Sequence, residues 1–343
     1  MNLLLIRTTC FLLAATTAGC GGAASVTMPA SAPSMLQTAP QNVAWSPAAS
    51  GQKIYVTEAG SVNGDALILE FPTTAKGNVA PAVTIVEPEP QDGYNKATAV
   101  SIASSGEIYV ANGGIGGNSD ILVYAADASG NATPLQTISG AATSLDGPIG
   151  LTVNKSGVAF AANIYDGTVT SYAKGDDGNV APKTTIAGSK TGLVYPNSVV
   201  LDGSGHIYVA DQGAGAVFVF APNANGNVAP IRTIAGSKTG LIAPSGLAHD
   251  AAGHLYVIDH TANRISVFAS SANGNVAPLR TIAGSKTQIS VPHDLALDSA
   301  GNIYVLCGGV LVFAAGASGN VAPIRSIDGS KTEMGVNTNL SVH

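Results

Sequence analysis

The sequence predicts an all-β chain: a six-bladed β-propeller built from four-stranded antiparallel blades. Three observations carry this. The phrase Gly-Asn-Val-Ala-Pro starts at Gly77, Gly178, Gly226, Gly274 and Gly319, with a degraded copy, Gly-Asn-Ala-Thr-Pro, at Gly130. Successive copies lie 53, 48, 48, 48 and 45 residues apart. A second phrase, Gly-x-Ile/Leu-Tyr-Val, runs in constant order with the first, at Gly106, Gly205, Gly253 and Gly301, with looser copies at Gly51 and Gly157. Two phrases in fixed order at this period mark a structural repeat whose copies stack. The composition agrees: 45% hydrophobic, 10% charged and 41 glycines suit a turn-rich β fold with a large core.

The unit between residues 244 and 286 shows the elements. Gly246–His249 reads as a first strand. Asp250-Ala251-Ala252-Gly253 makes a tight turn. His254–Ile258 is the second strand, and Asp259–Asn263 a polar loop. Arg264–Phe268 alternates and forms the third strand. Asn273-Gly274-Asn275 turns the chain, and Pro278 precludes a central strand there. Leu279–Ile282 is the fourth, outer strand. Such a sheet has two apolar faces, and only neighbouring copies around an axis bury both. Each unit offers one aromatic on strand two (Tyr55, Tyr109, Phe160, Tyr208, Tyr256, Tyr304) and one on strand three (Phe71, Tyr124, Tyr172, Phe220, Phe268, Phe313). Their constancy makes them packing residues between blades.

Seven stretches compete for six inner-strand places. Val336–His343 aligns with Val291–Asp298, and Gln41–Trp45 also reads as a first strand. If the C-terminal stretch fills blade one, the two chain ends join in one sheet and no open edge remains.

Residues 1–19 form a leader: apolar Leu3–Ile6 and Phe11–Ala15, a positive Arg7, then small residues. No apolar run is long enough to span a membrane. Thr17-Ala18-Gly19-Cys20 resembles the lipobox of bacterial lipoproteins, with Thr17 where Leu is usual. The resemblance implies cleavage before Cys20 and lipid on its sulfur, hence an exported, lipid-anchored protein of the cell envelope, at the outer membrane by sorting resemblance. Residues 20–40 read as a flexible tether, and 41–343 as the propeller. Once Cys10 is removed and Cys20 lipidated, Cys307 stands alone, a small buried hydrophobe rather than half of a disulfide. The net charge of −6, with no basic stripe, argues against nucleic acid. The expected state is a monomer.

The unit resembles the NHL repeat, a six-bladed propeller repeat. Pro244–Asp250, Gly253–Asp259 and Asn263–Phe268 match its three segments; Pro196–Asp202 with Gly205–Asp211, and Pro292–Asp298 with Gly301–Val305, match the first two. The resemblance implies the fold and little chemistry.

Glu58, Asn112, Asn163, Asp211 and Asp259 end the second strands, with Cys307 in the sixth place. Lactonase-like and lyase-like six-bladed propellers hold a divalent metal in the funnel on such groups, and oxygen donors here would suit calcium. The alternative is that these side chains cap turns. His293 stands where other blades have Ile149, Asn197 and Ser245, with Asn95 and Asn337 at comparable places. A repeat protein places specific function at such unrepeated polar positions near its axis. The ligand candidates are therefore Asn197, Ser245, His293, Asp211 and Asp259, with no catalytic residue named. Ala-Gly-Ser-Lys-Thr, at Ala187, Ala235 and Ala283, lacks the upstream glycine of a phosphate loop, and its lysines read as a solvated rim. The expected function is a binding scaffold for a protein, glycan or small ligand, with no cofactor; a metal-dependent lactonase- or lyase-like enzyme is the alternative.

Overall fold

Alternating apolar residues and glycine turns fold each repeat into an antiparallel meander. The computed structural model describes residues 51–59, 66–87, 96–114, 118–335 and 337–343. Within these residues there are six sheets of four strands each. Blade five contains Pro244–His249, Leu255–Asp259, Arg264–Phe268 and Arg280–Ile282, paired in that order. These strands match the sequence expectation to within two residues. The inner strands of blades two to six are Ala97–Ile102, Pro148–Val153, Pro196–Leu201, Pro244–His249 and Asp294–Leu297.

Blade one resolves the competition for inner strands. Asn337–Val342 pairs antiparallel with Lys53–Glu58, which continues to Leu67–Pro72 and Val83–Val86. The last strand of the chain therefore completes the first blade. Gln41–Trp45 lies outside the described residues, as do the leader, Cys20 and the tether.

The core consists of layers between blades. Phe71, Tyr124, Tyr172, Phe220, Phe268 and Phe313 on the third strands are wholly buried. Phe268, for example, joins a cluster with Tyr208, Val217 and Val219 of blade four. Burying such a side chain contributes about 1.5–3 kcal/mol. Cys307 is buried, as expected of a small apolar group.

Polar clips tie blade one and blades three to six each to the blade before it, and they explain the Gly-Asn-Val-Ala-Pro and Gly-Ser-Lys-Thr runs. In blade five, the Gly274 amide donates to the Thr233 carbonyl on the outer strand of blade four (2.6 Å). The neighbouring Asn275 Oδ1 accepts from the Lys238 amide at 2.7 Å. Asn179, Asn227 and Asn320 accept in the same way from Ala142, Lys190 and Lys286, each at 2.7 Å. The Gly-Ser-Lys-Thr run is thus the receiver of the clip. Its glycine is required: Gly236 has φ +109°, and a Cβ there would stand 2.7 Å from the Asn275 side chain. The lysine side chains themselves are exposed, as the rim expectation holds.

Blades four to six carry a further tie, within the blade. Arg232, Arg280 and Arg325 lie 5.4–5.8 Å over the rings of Tyr208, Tyr256 and Tyr304 and donate to their hydroxyls. Each hydroxyl faces the turn aspartate of its own blade, Asp202, Asp250 or Asp298.

Candidate functional site

Six inner strands line a central channel, and each presents its residues in layers. Ala97, Pro148, Pro196, Pro244 and Asn337 pair opposite Asn112, Asn163, Asp211, Asp259 and Glu58 at the mouth. The following residue forms the mouth ring: Thr98, Ile149, Asn197, Ser245, His293 and Thr338. Asn337 therefore sits one place earlier than His293, and Thr338 takes the equivalent place. Asn95 lies outside the described residues.

The carboxylates at the second-strand ends are saturated. Asp211 accepts from the amides of Val194, Tyr195 and Ala214 at 2.7–3.1 Å. Asp259 accepts from Ile242, Ala243, Thr261 and Ala262 at 2.7–3.1 Å. Glu58 accepts from the Gly335 amide. Asn163 bonds Thr168 and Thr170, and Asn112 donates to Asp120. Glu58, Asn163, Asp211 and Asp259 are capping groups that hold the loops leading into their inner strands, whereas the Asn112 amide bonds Asp120 of its own blade. A cation would have to displace several backbone amides, each of which would then be buried without a partner. The donor set does not fit the central divalent ion that the resemblance implies. Among the described residues no three His, Cys, Asp or Glu converge on a metal-sized site.

The mouth ring is where the blades differ. Asn197 donates to Gln212 Oε1 at 3.1 Å. Ser245 is buried, with its hydroxyl unpartnered. His260 bonds the Pro292 carbonyl through Nδ1 at 3.0 Å, and its ring stands 5.5 Å from that of His293. Burial, and then the neighbouring His260, lower the His293 imidazole to about 4. His293 is therefore neutral at physiological pH. Gln212 follows Asp211 as His260 follows Asp259, so the two occupy equivalent positions on adjacent blades. Asn197, Gln212, Ser245, His260 and His293 thus form an arc across blades four, five and six. Val194, Tyr195, Ile242 and Val291 are exposed on loops leading into these blades. The arc is uncharged, offers amide, hydroxyl and imidazole groups, and has an apolar rim. On the opposite side Thr98 and Thr338 spend their hydroxyls on the carbonyls of Pro148 and Ala97, blade to blade.

Below the mouth the channel holds a cavity of about 200 Å³, lined in part by Ser198, His249, Asp294 and Asn339. Asp294 Oδ2 accepts from Asn339 Nδ2 (2.8 Å) and the Leu340 amide (3.1 Å). Asn339 Oδ1 accepts from the Val100 amide (2.9 Å). One polar chain therefore joins blades six, one and two at the seam. Gly246 makes room for it: a Cβ there would stand 2.3 Å from Asp294 Oδ1. Burial raises the Asp294 carboxyl to about 7.

Sequence reasoning reached Asn197, Ser245 and His293 but missed Gln212, His260 and the Asp294–Asn339 pair. The signal for the pair was present. Its layer otherwise reads Ala99, Gly150, Ser198 and Gly246, so two long polar residues depart from a row of small ones. His206 and His254, just before the second strands, bond Asp202 and Asp250 at 2.8 Å.

No family model matches this chain, and no curated protein matches it. Solved structures do. A chain of the nidogen/laminin complex aligns over 85% of this chain and 98% of its own, with TM-score 0.61 and 15% identity. A putative 6-phosphogluconolactonase from Bacteroides fragilis aligns over 87% and 100%, at TM-score 0.55 and 15% identity. The periplasmic gluconolactonase PpgL of Pseudomonas aeruginosa aligns over 80% and 82%, at TM-score 0.50 and 18% identity. At these identities the likeness is one of fold, and the fold it supports is the six-bladed propeller.

Proposed function

We propose that this chain is a non-catalytic binding propeller of NHL type, exported and held at the cell envelope by lipid on Cys20. Its ligand is a neutral, hydrogen-bonding molecule seated on the arc Asn197, Gln212, Ser245, His260 and His293. One observation carries the reading. Chemistry varies from blade to blade at the mouth ring, while the carboxylates beside it are committed to backbone amides. An uncharged arc with an apolar rim suits a glycan or a peptide segment better than an ionic substrate.

The test is binding against turnover. Soluble protein lacking residues 1–20 should bind members of a panel of neutral saccharides and peptides, and His293→Ala with Asn197→Ala should weaken that binding at least about tenfold. A gluconolactonase and a putative 6-phosphogluconolactonase are among the propellers similar to this chain, so the same protein is assayed on gluconolactone with and without chelator. Chelator-sensitive hydrolysis that His293→Ala abolishes would replace the scaffold reading with the enzymatic one. For the anchor, Cys20→Ala should move the full chain from the detergent phase to the aqueous phase and end palmitate labelling.

A further inference from the structure

Each connection from an outer strand to the next inner strand crosses the mouth face. In blade five, Ile282 of the outer strand pairs with Ile265, and Ile265 with Ile258, which Asp259 follows at the mouth. The chain therefore leaves the outer strand at mouth level and meets the mouth ring at His293. Residues 187–195, 235–243 and 283–292, which lead into blades four, five and six, share one pattern. A lysine stands toward the outer end of each: Lys190, Lys238 and Lys286, all exposed. Apolar residues stand at the inner ends: Val194 is 47% exposed, Tyr195 43%, Ile242 58% and Val291 51%.

This half of the face is basic on an acidic chain. The three connections contain no Asp or Glu, and neither do the mouth loops 212–215 and 260–263 beside them. Asp211 and Asp259 are wholly buried on backbone amides. Among the described residues, no ion pair engages the three lysines. The whole chain carries a net charge of −6, so the lysines mark a local reversal of sign. The other half differs. The connection into blade three has Ala142 in the lysine's place and Asp146 further on, and the one into blade one sets Asp328 and Glu333 around Lys331. The apolar tips are held outward. Val194 and Tyr195 lie together over Gly213, where a Cβ would stand 2.8 and 2.5 Å from them. Val291 has φ +48°, a region that β-branched residues avoid, and its amide donates to Asn263 Oδ1 at 2.7 Å. Exposed aliphatic side chains grouped beside such cations mark a docking surface.

We propose that this half of the mouth face docks on an anionic lipid surface. Lys190, Lys238 and Lys286 meet the headgroup phosphates, and their long stems span the headgroup layer. Val194, Ile242 and Val291 enter the boundary with the acyl chains, and Tyr195 takes the interfacial place that amphipathic rings favour. A lipid surface satisfies both chemistries at once. A second copy of this chain would set lysine against lysine across the contact. A soluble acidic polymer would leave the aliphatic tips in water. Docking turns the arc toward the headgroup layer, but it needs neither a ligand in the arc nor lipid on Cys20.

The experiment uses the soluble chain from residue 21, so that no anchor contributes. It should sediment with phosphatidylcholine vesicles containing about 30% phosphatidylglycerol, and bind pure phosphatidylcholine at least about tenfold more weakly. Sodium chloride at about 0.5 M should weaken the anionic binding by a similar factor. Lys190→Gln, Lys238→Gln and Lys286→Gln combined should also lose at least about tenfold. These changes spare the clips, which use the lysine amides. Val194→Ser with Ile242→Ser should weaken binding at least about fivefold and keep its salt dependence. Lys155→Gln, at a turn on the opposite face, should change nothing. In Ile242→Trp, emission should move to the blue on anionic vesicles, relative to the parent. No binding of the parent to anionic vesicles overturns the inference, as does equal binding by the parent and the triple lysine variant. Dextran sulfate binding that tracks vesicle binding in every variant would assign the face to a soluble polyanion. A dimer that the serine variant disrupts would assign it to a second copy. Either result also overturns the inference. If a variant fails to fold, the parent's dependence on anionic lipid and on salt decides.

Discussion

Asn78 Oδ1 accepts a hydrogen bond from the Lys331 amide at 2.6 Å, across 253 residues of chain. The same contact joins Asn275 to Lys238 inside the ring. Beside Asn78, the Gly77 amide donates to the Ser326 carbonyl, so blade one clips blade six as blades three to six clip their predecessors. Asn78→Ala and Asn275→Ala should each lower stability by about 1–2 kcal/mol and should agree to within about 0.5 kcal/mol. Denaturant melts measure both. An open stack of repeats would lose clearly less at its terminal clip, and that result would contradict a closed ring.

Ring closure also depends on the C-terminal strand. Its Asn339 touches Thr57, Val100 and Asp294 by hydrogen bonds, and Leu340 is buried in the core shared by blades six and one. Deleting 334–343 exposes the inner edge of blade one and strips the Asp294 carboxyl of two partners. The truncated protein should lose cooperative unfolding or melt at least about 10 °C lower, since the loss spans many residues rather than one contact. An unchanged melting temperature would refute the closure.

Asp259 tests capping against ligation. Its carboxylate serves four backbone amides, and hydrogen bonds to charged groups contribute about 1.5–3 kcal/mol. Asp259→Ala should therefore cost at least about 3 kcal/mol and melt the loop leading into blade five. The loss should be the same with and without calcium. A variant of full stability that had lost a metal would reverse the assignment.

Much of this was legible in the sequence because the repeat fixes it six times over. Glycine turns, alternating strands and constant aromatics all act locally, and the second-strand aromatics and third-strand aromatics fall where their spacing puts them. The clip was not legible. Asn275 and Lys238 stand 37 residues apart, and the bond uses the lysine's amide, which no side-chain pattern advertises. The arc was legible in half: Asn197, Ser245 and His293 depart from the repeat, whereas Gln212 joins by bonding Asn197 of its own blade and His260 by bonding the Pro292 carbonyl beside the next blade's mouth.

Asp294 makes ring stability depend on pH. Its native carboxyl is raised to about 7 by burial, against an ordinary carboxylate value near 3.9 in the unfolded chain. Between those values the native state holds a proton that the unfolded state has released. By linkage, the contribution is present in full below about pH 4 and is lost as pH rises toward 7. His293 runs the other way. Burial lowers it to about 4, so its neutral native ring favours folding more as pH rises from about 4 to 6.5. Melting temperature measured from pH 4 to 8 reads the sum, and two variants separate the parts. Asp294→Asn should remove the fall toward pH 7 while keeping the hydrogen bond from the Leu340 amide. His293→Gln should remove the rise and leave the fall exposed. If Asp294→Asn leaves the profile unchanged, the carboxyl is ionised throughout, and the polar chain through Asn339 carries a charge at the seam.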